Sequence, residues 1–183
     1  MALLHRATLT PTKLEVLQAW VPQQDWCPPL AGPLTMIGGY RFDDPKDEIG
    51  IETLLATDGT GLVVQVPLTY RGAPLEGAEG ALVATMQHSV LGERWIYDGT
   101  QDPVALEAFA AAIEEGQVGA IEIIEVDGMI QTREPSVIVA GSGGSIDDPL
   151  RFHHVLEAEQ TADGAFLTGT WDGQDEPVVL VST

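Results

Sequence analysis

The chain has 183 residues, 44% hydrophobic and 20% charged, a globular composition that suits one domain able to bury roughly 70% of its unfolded surface without staples. Its 28 acidic residues against 8 basic ones give a formal charge of −20, which repels phosphate backbones and anionic lipid and argues against a nucleic-acid or membrane-surface partner. Cys27 is the sole cysteine, so no intrachain disulfide and no cysteine-rich metal site is expected.

The opening MALLHRATLT lacks a long apolar core, and no apolar run reaches the length of a membrane span, so a cytoplasmic location is expected. Residues 1–9 suit a leading strand or an arm. Thr10-Pro11 pairs a capping side chain with a proline at the first helical position, and Leu9 and Leu14 stand where a hydrophobic staple needs them. Leu14, Leu17 and Val21 then make a helical stripe with Trp20 beside it, and Pro22 ends it. The irregular QQDWCPPLAGP is expected to be pinned by Trp26.

From Leu34 the periodicity is that of strands. Leu34 to Phe42 is one, and Ile49 to Thr57 and Leu62 to Tyr70 flank DGTG, a strong hairpin signal. Leu62, Val64, Val66 and Leu68 alternate with Val63, Gln65, Pro67 and Thr69, which predicts one dry and one mostly polar face. Pro67 cannot donate to a ladder and belongs at an edge or bulge.

The stretch from Gln87 to Ala112, QHSVLGERWIYDGTQDPVALEAFAAA, reads as a long strand, a tight break and the best-marked helix of the chain. Asp98-Gly99 is the turn, Asp102 the N-cap and Pro103 the first helical residue. Leu106, Phe109, Ala110 and Ile113 give the apolar stripe. Gly116 or Gly119 closes the helix. Further strands are expected over 120–126, 136–140, 153–158, 165–171 and 178–181, and GSGGS at 141–145 reads as a flexible loop. The sum is α+β: a single domain over residues 1–183, with a large curved antiparallel sheet and two helices set against one face.

No reaction centre stands out. VIVAGSGGSIDD follows a strand, but Ser145-Ile146-Asp147 stands where a phosphate loop needs a lysine. His153 and His154 are adjacent and, in a strand, point to opposite faces, so they suit no shared metal. Asp98 and Asp102 are spaced for a carboxylate pair across the turn. A turn residue at Asp98 and a helix cap at Asp102 account for them better. Glu93-Arg94 suits a surface pair, and Arg94 a tie to Asp98. No catalytic residue, cofactor or metal site is assigned. Trp95, Tyr97 and His88 are the candidate ligand contacts, on the concave sheet face.

These segments resemble a known family. AWVPQQDW is similar to the LxxWLPxQRW opening of actinobacterial maltokinases, and DGTGLVVQVPLTYRGAPL to their hairpin. HSVLGERWIYDGTQDPVALEAFAAAI resembles the strand and helix of the maltokinase N-terminal cap domain and its cap-like relatives. Cys27-Pro28-Pro29 departs from the basic, glycine-containing run of that family. The resemblance implies a curved-sheet α+β cap of cystatin-like topology, without the kinase body that holds ATP, magnesium and catalytic aspartates, and so no kinase activity. It implies a non-catalytic module whose partner is a protein, an enzyme of α-glucan or trehalose metabolism. A homo-oligomer stays open. The alternative is a binder of a sugar or sugar phosphate.

Overall fold

The computed structural model describes all residues except 1, 5–6, 47, 117–118, 121, 127–128, 134 and 159, and only the backbone of 2–4, 122–126 and 129–133. In chain order come β1 (Ala2–Leu4), β2 (Leu9–Thr10), α1 (Lys13–Trp20), β3 (Thr35–Phe42), β4 (Gly50–Thr57) and β5 (Val63–Arg71). Then follow β6 (Leu82–His88), β7 (Gly92–Asp98), α2 (Pro103–Glu114), β8 (Glu122–Val126), β9 (Met129–Arg133) and β10 (Val137–Gly141). The last are β11 (Arg151–Phe152), β12 (Val155–Leu156), β13 (Phe166–Trp171) and β14 (Gln174–Ser182).

The α+β class is as expected, with the main antiparallel sheet curled into a half-barrel. Its strand order is β2-β6-β7-β5-β4-β3, with β12 added beside β5. A second antiparallel sheet, β10-β13-β14-β11, and a small β1-β8-β9 sheet stand apart from it, where a single meander was expected. The DGTG hairpin forms as expected, with Thr57 opposite Val63 and Gly50 opposite Tyr70.

The two helices lie on opposite faces of the main sheet, which corrects the expectation of one shared face. α1 packs Val16 and Leu17 against Leu54, Val64, Val66, Leu68 and Ile96. α2 packs Ala105, Phe109, Ala112 and Ile113 against Tyr40, Phe42, Ile51 and Leu55, and the second sheet adds Val137, Val139, Leu167 and Leu180. The supposedly polar face of β5 is therefore dry too, and Gln65 and Thr69 are fully buried. Because α2 is covered from two sides, its buried positions are 105, 109, 112 and 113, while Leu106 and Ala110 are half-buried.

Local chemistry explains the element ends. The cap of α1 is Thr12, two residues beyond the expected Thr10: its hydroxyl accepts from the Glu15 N–H at 3.3 Å and the Glu15 carboxylate accepts from the Thr12 N–H at 2.7 Å. That reciprocal box satisfies two helix donors at once, which a lone Thr10 does not. Asp102 caps α2 as predicted, accepting from the Val104 N–H at 3.0 Å. The region read as one long strand is a hairpin, β6 and β7, whose turn ends at Gly92 with φ +77. The GSGGS segment is not a free loop: the Gly143 N–H bonds the Ile113 carbonyl at 2.9 Å and helps to close α2.

Candidate functional site

The three predicted ligand contacts do not meet. Met86 and Ile96 point into the α1-side core, and alternation puts His88 and Arg94 on that same face, with Trp95 and Tyr97 on the other. Tyr97 is buried, and its hydroxyl accepts from the Leu75 N–H at 2.8 Å. His88 Nδ1 accepts from the Val90 and Leu91 N–H groups at 3.2 and 3.0 Å, which holds the hairpin turn and leaves the proton on Nε2 in the neutral ring. Trp95 is half-buried beside Arg71.

The acids at the turn are engaged in structure. Asp98 accepts from the Thr100 N–H, the Thr100 hydroxyl and Gln101 Nε2, at 2.9, 2.7 and 3.0 Å. Arg94, expected to tie Asp98, is not among the partners that carboxylate bonds. The arginine that matters is Arg71, which grips Asp102 with Nε and Nη2 at 2.7 and 2.6 Å. The Thr69 hydroxyl donates to the same carboxylate at 2.6 Å. Burial opposes the charge of Asp102, but the bonds from Arg71, Thr69 and Val104 outweigh it and hold the carboxyl below its usual range.

A second buried acid escaped the sequence reading. Glu52, 6% exposed, faces α1 and accepts from Lys13 Nζ at 2.6–2.8 Å and from Arg41 Nη2 at 2.6 Å. Burial again raises its pKa, and the two cations more than reverse that. Tyr70 lies beside it, its phenol pushed far above the usual value by burial and then by the carboxylate. The signal was present: a lone charge inside the apolar strand IETLLAT, opposite a lone arginine in β3. Next to this cluster is a cavity of about 370 Å³ lined by Lys13, Arg41, Arg94, Asp43, Asp44, Glu48, His88, Tyr70 and apolar residues.

A third polar group joins the two large sheets. At His153-His154 the chain crosses from β11, paired with β14, to β12, paired with β5, where a strand over 153–158 was expected. The Gln65 side chain donates to the carbonyls of His153 and Leu180 and its Oε1 accepts from the Tyr40 hydroxyl at 3.3 Å. His153 Nε2 lies 2.9 Å from the Ser182 hydroxyl, and its Nδ1 meets Gln160. His154 stacks on Trp26 at 4.3 Å and 8°, so Trp26 pins its segment as expected. The two rings diverge, also as expected. Burial lowers both histidine pKa values, with Arg151 adding to the effect at His153. Among the described residues no group of three or more His, Cys, Asp or Glu is placed to hold a metal ion, and no helix is long and apolar enough to cross a membrane.

No curated protein matches the chain. The model of the maltokinase N-terminal cap domain matches residues 20–102, from the end of α1 to the cap of α2. That span holds the half-barrel strands β3 to β7 and the Asp98 and Asp102 turn. The match takes in the DGTG hairpin and the Tyr97-Asp98 strand end, so residues 20–102 are similar to the maltokinase N-terminal cap domain, as the sequence resemblance led one to expect.

Proposed function

We propose that the chain works as a non-catalytic cap-like module that docks on an enzyme of α-glucan or trehalose metabolism and shapes or regulates it. The observation that carries this reading is the cap-domain match over residues 20–102. Two further features support it. The acids spaced for a carboxylate pair, Asp98 and Asp102, are committed to a turn and a helix cap. At the β6–β7 tip Val90 and Leu91 are 57% and 46% exposed, an apolar knuckle on a surface whose −20 charge favours a basic counterpart.

The test is direct binding of the purified chain to purified maltose-, trehalose- and α-glucan-processing enzymes from the same source, at low and high salt. The reading predicts a complex with one of them, with Kd on the order of micromolar or tighter, weakened by salt and by Val90→Asp. Absence of binding to every such enzyme at low salt contradicts it.

A further inference from the structure

We infer that residues 151–156 form an acid-released strap between the two large sheets, held shut by the neutral rings of His153 and His154. This goes beyond the docking reading and does not depend on it. The first observation is how the strap is built. Arg151 and Phe152 pair with Ser182 and Val181 of β14, and Val155 and Leu156 pair with Val64 and Val63 of β5. Each end is a two-residue strand, with the exposed Asp147 and Asp148 before it and the exposed Glu157 and Asp163 after it. Short ladders between exposed segments open locally at less cost than the whole fold.

The second observation is what holds its middle. The His153 N–H donates to the Leu180 carbonyl at 3.0 Å, the Gln65 N–H to the His154 carbonyl at 2.9 Å, and the Gln65 side chain to the His153 carbonyl at 2.9 Å. Both rings close on the same point. His153 Nε2 lies 2.9 Å from the Ser182 hydroxyl, and its Nδ1 faces the Gln160 amide nitrogen. His154 Nδ1 lies 3.2 Å from the Gln65 carbonyl, and its ring rests on Trp26. A neutral imidazole keeps one acceptor nitrogen, whereas a charged one donates from both. A proton on His153 Nδ1 therefore sets donor against donor.

The charged groups that bear on the pair are Arg151 from β11 and Asp98 from the end of β7. Desolvation is the largest effect at both rings and disfavours their charged forms, and Arg151 and His154 add to it at His153. Asp98 favours a charge on His154 but is itself engaged by Thr100 and Gln101. Among the described residues no carboxylate bonds either ring. A ring released to water titrates near its ordinary value of about 6.5. Below that pH the open strap takes up protons that the closed one resists, so closure weakens as pH falls. Opening leaves the backbone of Val63 and Val64 unpaired on the side that β7, which joins β5 only from Leu68, does not reach.

The experiment is amide hydrogen exchange of the intact chain at pH 7.5 and pH 5, corrected for intrinsic exchange rates and read peptide by peptide. The inference predicts that protection of the strap and of Gln65 falls by about fivefold or more at the lower pH. The β4 amides over 51–56 should keep theirs. His153→Gln and His154→Phe should each show a smaller fall, and the double variant none. Equal protection of the strap at both pH values overturns the inference, as does an equal loss over β4. A fall of native size in the double variant, or in both single variants where the double one does not fold, overturns it too.

Discussion

Arg71 on β5 and Asp102 at the start of α2 form a two-pronged ion pair, at 2.7 and 2.6 Å, in which the carboxylate is wholly buried and the arginine side chain is 15% exposed. The pair joins the curled sheet to the start of α2. Removing the arginine strands a buried charge that still caps a helix, which typically costs about 3–5 kcal/mol. Arg71→Ala should therefore lower the urea midpoint severely, whereas Arg94→Ala, with no ion pair among the described residues, should shift stability by no more than about 0.5 kcal/mol.

Acid should unfold the protein through Asp102 and Glu52. Both carboxyls sit below their usual range, held there by Arg71 in one case and by Lys13 and Arg41 in the other. A folded-state pKa below the unfolded one means that the unfolded chain binds more protons, so stability rises with pH through that window. The contribution is complete above the ordinary carboxylate pKa of about 4 and is lost as pH falls through the lowered values. Urea unfolding from pH 6 down to 3, with Glu52→Gln as comparison, should show a steep loss for the native chain and a shallower one for the variant.

A second, milder slope should appear nearer neutrality. His153 is buried and His154 half-buried at the crossing between the sheets, and desolvation there disfavours the charged form of both. Their folded pKa values lie below the unfolded value of about 6.5, so protonation favours the unfolded chain. Stability should be full above that value and decline as pH falls through the lowered ones. His154→Phe retains an aromatic ring against Trp26 and removes one titrating group, so its stability should change less between pH 7 and 5.

At Gly141 the second sheet passes close to the backbone of α2. A methyl group built there meets the Ala112 carbonyl oxygen at 2.1 Å and the Ile113 Cα at 2.9 Å. Backbone atoms cannot rotate away as a side-chain tip can, so β10 or the helix end must shift. Gly141→Ala should cost about 1–3 kcal/mol, readable as a lowered melting temperature, while Gly80→Ala, with open space around it, should be close to neutral.

Much of this arrangement was legible from local sequence. Asp58-Gly59 between two alternating apolar runs specified a hairpin, and Asp102-Pro103 specified a helix start, because both depend on backbone chemistry within a few residues. Pro67 fits its expected place: Gln65, two residues earlier, donates to His154 on the side away from β4, and β7 pairs with β5 only from Leu68 onward. Pro67 falls in the gap, where no donor is needed. Less legible were features set by distant segments. Gln65 and Thr69 look solvent-facing by alternation, and only the second sheet and Asp102 make them core. The β6–β7 turn was hidden because Val90 and Leu91 are apolar, and a tip that exposes them reads as strand. The cavity was hidden for another reason, since Lys13, Arg41 and Arg94 come from three separate elements.

The central claim is that the Asp102 and Arg71 lock is scaffolding for the curled sheet and its helix. A double-mutant cycle on Arg71→Met and Asp102→Leu, followed by urea unfolding, tests it most directly. The account predicts that Arg71→Met alone is strongly destabilised, that the apolar pair recovers much of the loss, and that the coupling is about 2 kcal/mol or more. A coupling near zero, with each single variant close to the native midpoint, contradicts it.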